Sequence, residues 1–227
     1  LTGTPGADRA TAYVADAFRG LGLTPAGADG MFQPFQFTAG VALGDGNALS
    51  VSVDGQSKPL AVEQRWRPLA FSEPGTVEQT GVTFAGYGIV APESGDAEPL
   101  NSYRDLDVEG QWVLIWRGMP GELSRERRTY LSRFADPRYK ASVAKANGAA
   151  GVIFAPPPRA DFPDELPRLS YEASSGSANL PVLAVDRQAM ERMLSILGDE
   201  LDDVAAQLDR GEAGGRQLIG VEAEAEI

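Results

Sequence analysis

Residues 139–155 read YKASVAKANGAAGVIFA, and this stretch decides the fold. Pro137 stands just before it, where a proline suits a first helical turn. Alanines then recur at helical spacing up to Asn147, and Gly148 supplies a stop in the left-handed conformation. GVIFA, residues 151–155, follows as a continuous apolar run, the mark of a strand buried on both faces, and Pro156-Pro157-Pro158 ends it. The small residues around Gly151 let helix and strand backbones approach closely.

Outward from there the pattern is strand, helix, strand, loop, strand, helix. QWVLIW, residues 111–116, is a second buried strand ahead of the helix. After it lies a long loop rich in Pro and Ser, residues 159–179. A short strand, residues 180–185, is then followed by a helix carrying Met190, Leu194 and Leu197, which Asp186 caps. Asp199 is expected to cap a further helix through Leu201, Val204 and Leu208.

Towards the N-terminus the run 77–87 is rich in β-formers, and Gly86 and Gly88 flank Tyr87 where the chain bends out of a strand. Leu49, Val51 and Val53 alternate with polar residues up to an Asp54-Gly55 turn. At the other end Val221, Ala223, Ala225 and Ile227 alternate with Glu222, Glu224 and Glu226, a strand with one wet face. A separate amphipathic helix opens the chain after Thr4-Pro5-Gly6, with Val14, Phe18 and Leu21 on its stripe. An extended segment, residues 31–38, follows with Phe32, Phe35 and Phe37. The expected class is α/β or α+β, a mixed β core flanked by a few helices, with an N-terminal helical appendage.

Composition narrows the chemistry. The 227 residues carry a net charge of −12, a field that repels phosphate backbones and argues against nucleic acid as a partner. No apolar run is long enough to span a membrane. There is no His and no Cys, so the usual zinc sites and any Ser-His or Cys-His pair cannot be built. No catalytic residue and no metal ligand is therefore assigned. Ser142 and Lys145 match S-x-x-K, but the K-T-G element is missing and a solvated helix face is the better reading. Asp105 with Asp107, and Asp202 with Asp203, do not meet calcium-loop spacing and are read as surface or capping residues.

The exception to the acidic balance is residues 117–145, with eight basic and three acidic side chains. The plain expectation is a solvated segment paired with acidic neighbours. The sharper one is a docking surface built from Arg125, Arg127, Arg128, Tyr130 and Arg133.

Several of these segments together resemble one family. GVTFAGYGIV, residues 81–90, looks like the strand and GYG entry of protease-associated (PA) domains inserted in M28 peptidases. YRDLDVEG, residues 103–110, running into QWVLIWR, is similar to Y-x-x-L-D-V-x-G-K-V-V-L-x-x-R-G, with Gln111 where Lys is frequent. Residues 140–155 match K-x-x-x-A-x-x-x-G-A-x-G-V-I, and LPVLAV, residues 180–185, resembles P-V-x-x-V. The leading residues 1–23 resemble the first helix of the peptidase domain.

This resemblance implies residues 1–38 as peptidase-domain helix and extended segment, 39–219 as the PA domain, and 220–227 as a strand returning to the peptidase domain. It implies a parent zinc aminopeptidase, secreted to the periplasm or outside the cell. Zinc would be held in the peptidase domain and no cofactor in this chain. Leu1 in place of Met fits a natural chain that starts earlier, or one cut by processing or by cloning. The implied partners are that peptidase domain and peptide or protein substrates, with self-association through the exposed stripe of the first helix also expected. Two rivals stand beside it, a free-standing PA-type binding module and an enzyme that uses only carboxylates.

Overall fold

The computed structural model describes residues 2–37, 40–95, 97–170 and 177–227. The chain divides into two units, Leu1–Val41 and Ala42–Ile227. The expected boundary between residues 38 and 39 falls on residues outside the described set.

The first unit is built on helix α1, Pro5–Gly20. The Thr4 hydroxyl accepts from the Ala7 N–H at 3.3 Å, Pro5 opens the first turn, and Asp8 and Arg19 sit at the ends their charges favour. The helix closes with the Leu23 N–H donating to the Phe18 carbonyl at 3.1 Å and that of Gly22 to Arg19 at 3.0 Å. Val14, Phe18 and Leu21 are exposed as a stripe. The following segment packs Phe35 against Phe37, ring centroids 6.2 Å apart.

The second unit holds an eight-stranded mixed sheet. Its strands are β1 (Ala48–Val53), β2 (Gln56–Pro59), β3 (Trp66–Pro68), β4 (Thr76–Phe84), β7 (Trp112–Trp116), β8 (Gly151–Ala155), β9 (Val182–Val185) and β10 (Arg216–Glu226). Two short strands, β5 (Val90–Ala91) and β6 (Leu100–Asn101), pair apart from it. The spatial order is β2-β1-β10-β4-β7-β8-β9-β3. β4, β7, β8 and β9 run parallel in sequence, and the remaining pairings are antiparallel. This is the mixed α/β core that the apolar runs require.

Helices cover both faces of the parallel half. Ala141 and Ala144 of α3 (Pro137–Ala146) pack on the face carrying Val113, Ile115, Val152, Phe154, Val182 and Ala184. Met190, Met193 and Leu194 of α4 (Arg187–Leu194) join the opposite cluster with Trp112, Leu114, Trp116, Ile153, Leu183 and Val185. Val204 and Leu208 of α5 (Glu200–Asp209) belong to that second cluster too. One further helix, α2 (Arg125–Leu131), precedes α3. Short 3-10 turns extend α2 and α4.

Two backbone positions show why the local sequence is what it is. A Cβ on Gly151 would stand 2.3 Å from the Trp112 ring, so only glycine lets β8 lie beside that indole. Asp54 and Gly55 both take positive φ, 49° and 75°, which is the tight two-residue turn joining β1 to β2.

Asp186 caps α4 as expected, its carboxylate accepting from the Ala189 N–H at 2.9 Å. Asp199 does not cap α5. It occupies the N-cap position in a helical conformation, with no side-chain capping bond, and the helix start instead carries Glu200, Asp202 and Asp203 against its positive end.

β10 alternates in burial from Val221 to Glu226 and runs between β1 and β4. It begins at Arg216, five residues before the alternation that the sequence displays.

Candidate partner surface

The positive segment is organised by capping. The Ser124 hydroxyl accepts from the Arg127 N–H at 3.1 Å and starts α2. Asp136 accepts from the Arg138 and Tyr139 N–H groups at 2.8 and 3.3 Å and starts α3. Leu131 is fully buried and anchors the short α2 on the core. Tyr130, Phe134 and Tyr139 stack in sequence, ring centroids 5.4 and 5.6 Å apart, in edge-on and tilted contacts. The Tyr130 hydroxyl donates to the Pro92 carbonyl, and that of Tyr139 to Val90 at 2.7 Å.

The five residues expected to form a surface thus divide. The Arg127 guanidinium donates to the Glu98 carbonyl and lies 5.7 Å over the Tyr130 ring. Arg128 donates to the Gly121 carbonyl at 2.8 Å. Arg125 and Arg133 are exposed. Among the described residues none of these four arginines forms an ion pair with an acidic side chain. For Arg127 and Arg128 the expected pairing with acidic neighbours is replaced by bonds to backbone carbonyls, which hold the side chains without an opposite charge.

The same substitution of carbonyls for carboxylates recurs inside. Lys140 is 1% exposed, and its Nζ donates to the carbonyls of Gly118 at 2.6 Å and Trp116 at 3.3 Å. It lies 5.9 Å over the Tyr87 ring. Burial lowers its pKa to about 7, with Asp136 opposing the shift. The Tyr87 hydroxyl donates to Asp209 at 2.6 Å, and the same carboxylate oxygen accepts from the Gly121 N–H at 3.0 Å. Burial first, and then Asp209, push this phenol well above its ordinary value. Lys140 and Asp209 therefore pin the loop after β7 at Gly118 and Gly121, and Arg128 of α2 bonds to the Gly121 carbonyl.

Sequence reasoning missed both anchors. Lys140 could have been found, because it shares a helix face with the buried Ala144. The Tyr87–Asp209 bond spans 122 positions and has no local signature.

The Ser142 hydroxyl donates to the Tyr139 carbonyl at 2.7 Å, and Lys145 donates to Asn179 at 2.9 Å, so the S-x-x-K pair is spent on backbone. Gly86 and Gly88, φ 56° and 62°, carry the bend around Tyr87. Among the described residues no group of three His, Cys, Asp or Glu is placed to hold a metal. The chain supplies no imidazole and no thiolate, the donors on which the usual zinc sites depend. Nor is any helix among the described residues long and apolar enough to cross a membrane.

Comparison with known proteins bears on this architecture. No curated protein matches the chain. Among solved structures, two of BSAP, a zinc aminopeptidase from Bacillus subtilis, align with 16% identity and a TM-score of 0.41. Each alignment covers 100% of this chain and 38% of that one, so the chain spans well under half the length of that protein. The PA domain model matches residues 74–193, from just before β4 into α4, which takes in the parallel half of the sheet and the positive segment. That match covers more than half of the sequence, and the chain belongs to the PA domain family.

Proposed function

We propose that this chain is the non-catalytic PA portion of a secreted M28-type zinc aminopeptidase, where it shapes substrate access and contacts protein partners. The observation that carries the reading is the joint occurrence, in order, of the segments at 81–90, 103–117, 140–155 and 180–185 in a chain that contains no His. Residues 1–38 then supply the first helix and extended segment of the peptidase domain, and 220–227 lead back to it. The zinc ions belong to that domain. Arg125 and Arg133, with the tethered Arg127, Arg128 and Tyr130, form the face offered to the peptidase domain or to an acidic partner. The site of action is periplasmic or extracellular.

Hydrolysis of amino-acid nitroanilides tests the reading. The 227-residue chain is expected to give no cleavage with or without zinc, and the longer natural protein to cleave in a chelator-sensitive manner. Cleavage by the purified 227-residue chain would overturn it, as would an inactive longer protein without zinc ligands.

A further inference from the structure

β4 is paired along one side from end to end, apart from a bulge at Glu78 and Gln79, and along the other for only its last third. On the β10 side the ladder runs from Thr76 to Phe84. On the β7 side it begins at Val82, opposite Trp112, and ends at Phe84. From Thr76 to Gly81 the second side of the strand meets no other strand among the described residues. Gly75 exchanges both backbone hydrogen bonds with Ile227, at 2.9 and 3.0 Å. Antiparallel residues alternate, so the N–H and C=O of the next residue, Thr76, point away from β10 towards the open side.

This open side is not an outer edge of the sheet. It is a slot, because Gly110, Ala150 and Pro181 close its far wall at the starts of β7, β8 and β9. The slot has a volume of ≈ 400 Å³ and is lined along β4 from Pro74 to Thr80. It lies where β7 would run had it begun several residues earlier. The outer edges β2 and β3 are short, with Lys58 and Pro59 on the first and Pro68 on the second, which blunts them against pairing.

We propose that the slot binds an extended, cationic segment of another polypeptide, which adds to β4 as the missing strand. Charge selects the occupant. Among the described residues Glu78 is the one charged residue lining the slot, and Glu226 stands opposite Thr76 on the adjoining strand. Glu224 and Glu226 are exposed on the wet face beside it, and no Lys or Arg among the described residues lines the slot. Like charges directly opposite disfavour a strand, and unlike charges favour it. A second copy of this chain would bring its own glutamates to the edge, against a net charge of −12 per copy. The segment therefore carries Lys or Arg on the face opposite Glu78 and small residues on the other.

This inference goes beyond the assignment to a peptidase, because it concerns the chain alone and is read without any enzyme activity. Its failure would leave that assignment standing, and a failed activity test would leave this slot in place. The experiment is fluorescence anisotropy of the 227-residue chain with labelled seven-residue peptides, Lys alternating with Val or Thr. Two N-methylated forms of the same peptide carry the methyl groups on one or the other alternate set of amides. One form is expected to lose roughly tenfold or more in affinity and the other to keep it, since only one set of amides meets β4. A Glu-for-Lys peptide should not bind, and Glu78→Lys in the protein should weaken binding by roughly tenfold. Hydrogen exchange of the amides at 76–80 should slow on binding. Equal affinity of the two methylated forms, unchanged binding by Glu78→Lys, or protection confined to other residues would each overturn the proposal. So would a dimer of the chain held through this strand.

Discussion

The parallel half of the sheet and its antiparallel half obey different rules. Every residue of β7, β8 and β9 is buried, with α3 on one face and α4 and α5 on the other. In β10 burial alternates from Val221 onward, with alanines inside and glutamates outside. A strand covered on both faces has no room for a polar side chain, so its sequence loses alternation altogether. A strand with one wet face keeps it. β4 is where the two regimes meet, and it is also where a stretch of backbone has no partner strand among the described residues on its second side.

The sharpest way to break this contrast is a charge in the parallel half. Ile153 is fully buried at the centre of β8. Ile153→Asp forfeits about 1.5–3 kcal/mol of burial and adds an unpartnered polar group costing roughly 2–7 kcal/mol. That is comparable with the whole stability of a domain, about 5–15 kcal/mol, so the variant should unfold. Circular dichroism on heating reads the outcome, and a soluble variant with an unchanged Tm would show that β8 is not core.

A second test uses the one amine the parallel half already encloses. The Lys140 pKa of about 7 lies below its ordinary 10.5. Between these values the folded state holds fewer protons than the unfolded state, so stability rises with pH. Above the upper value the cost of burying the charge is gone, and below the lower one it is borne in full. Relative to Lys140→Met, the native chain should gain stability from pH 7 towards 10, by up to about 1.4 kcal/mol per pH unit at the steepest. Urea unfolding at a series of pH values measures the difference, and a difference that does not change with pH would remove the dry environment assigned to this side chain.

The smallest effect belongs to the antiparallel half. Glu224 is exposed and opposes Ser50. Glu224→Gln should alter stability by no more than about 0.5 kcal/mol. A loss above about 1 kcal/mol in urea unfolding would mean that this face is covered and the contrast misdrawn.

Much of the fold could be read before the structure. The apolar runs at 111–116 and 151–155, the proline and glycine around α3, the Asp54-Gly55 turn and the alternating tail each express a rule that acts within a few residues. The failures are of another kind. Asp199 has the right residue type for a cap, yet its own backbone is helical and its carboxylate does not turn back to the N–H groups. Lys140 belonged to a segment expected to be solvated, because its charge was counted before its helix face. Of the positive residues, the sequence showed the cluster but not the partners, since backbone carbonyls carry no mark of their own.

Element type and strand burial are set by side-chain periodicity, and periodicity is complete in the sequence. The absence of imidazole and thiolate is likewise a property of the chain, and it bounds the chemistry whatever the fold. Strand order is not of this kind. That β10 enters between β1 and β4, that Asp209 meets Tyr87, and that β7 starts too late to pair the first six residues of β4 depend on contacts between distant segments. Closing those long loops costs entropy that only the assembled core repays. The positions of the buried lysine, the tethered arginines and the open slot are therefore decided by packing, after the local elements have formed.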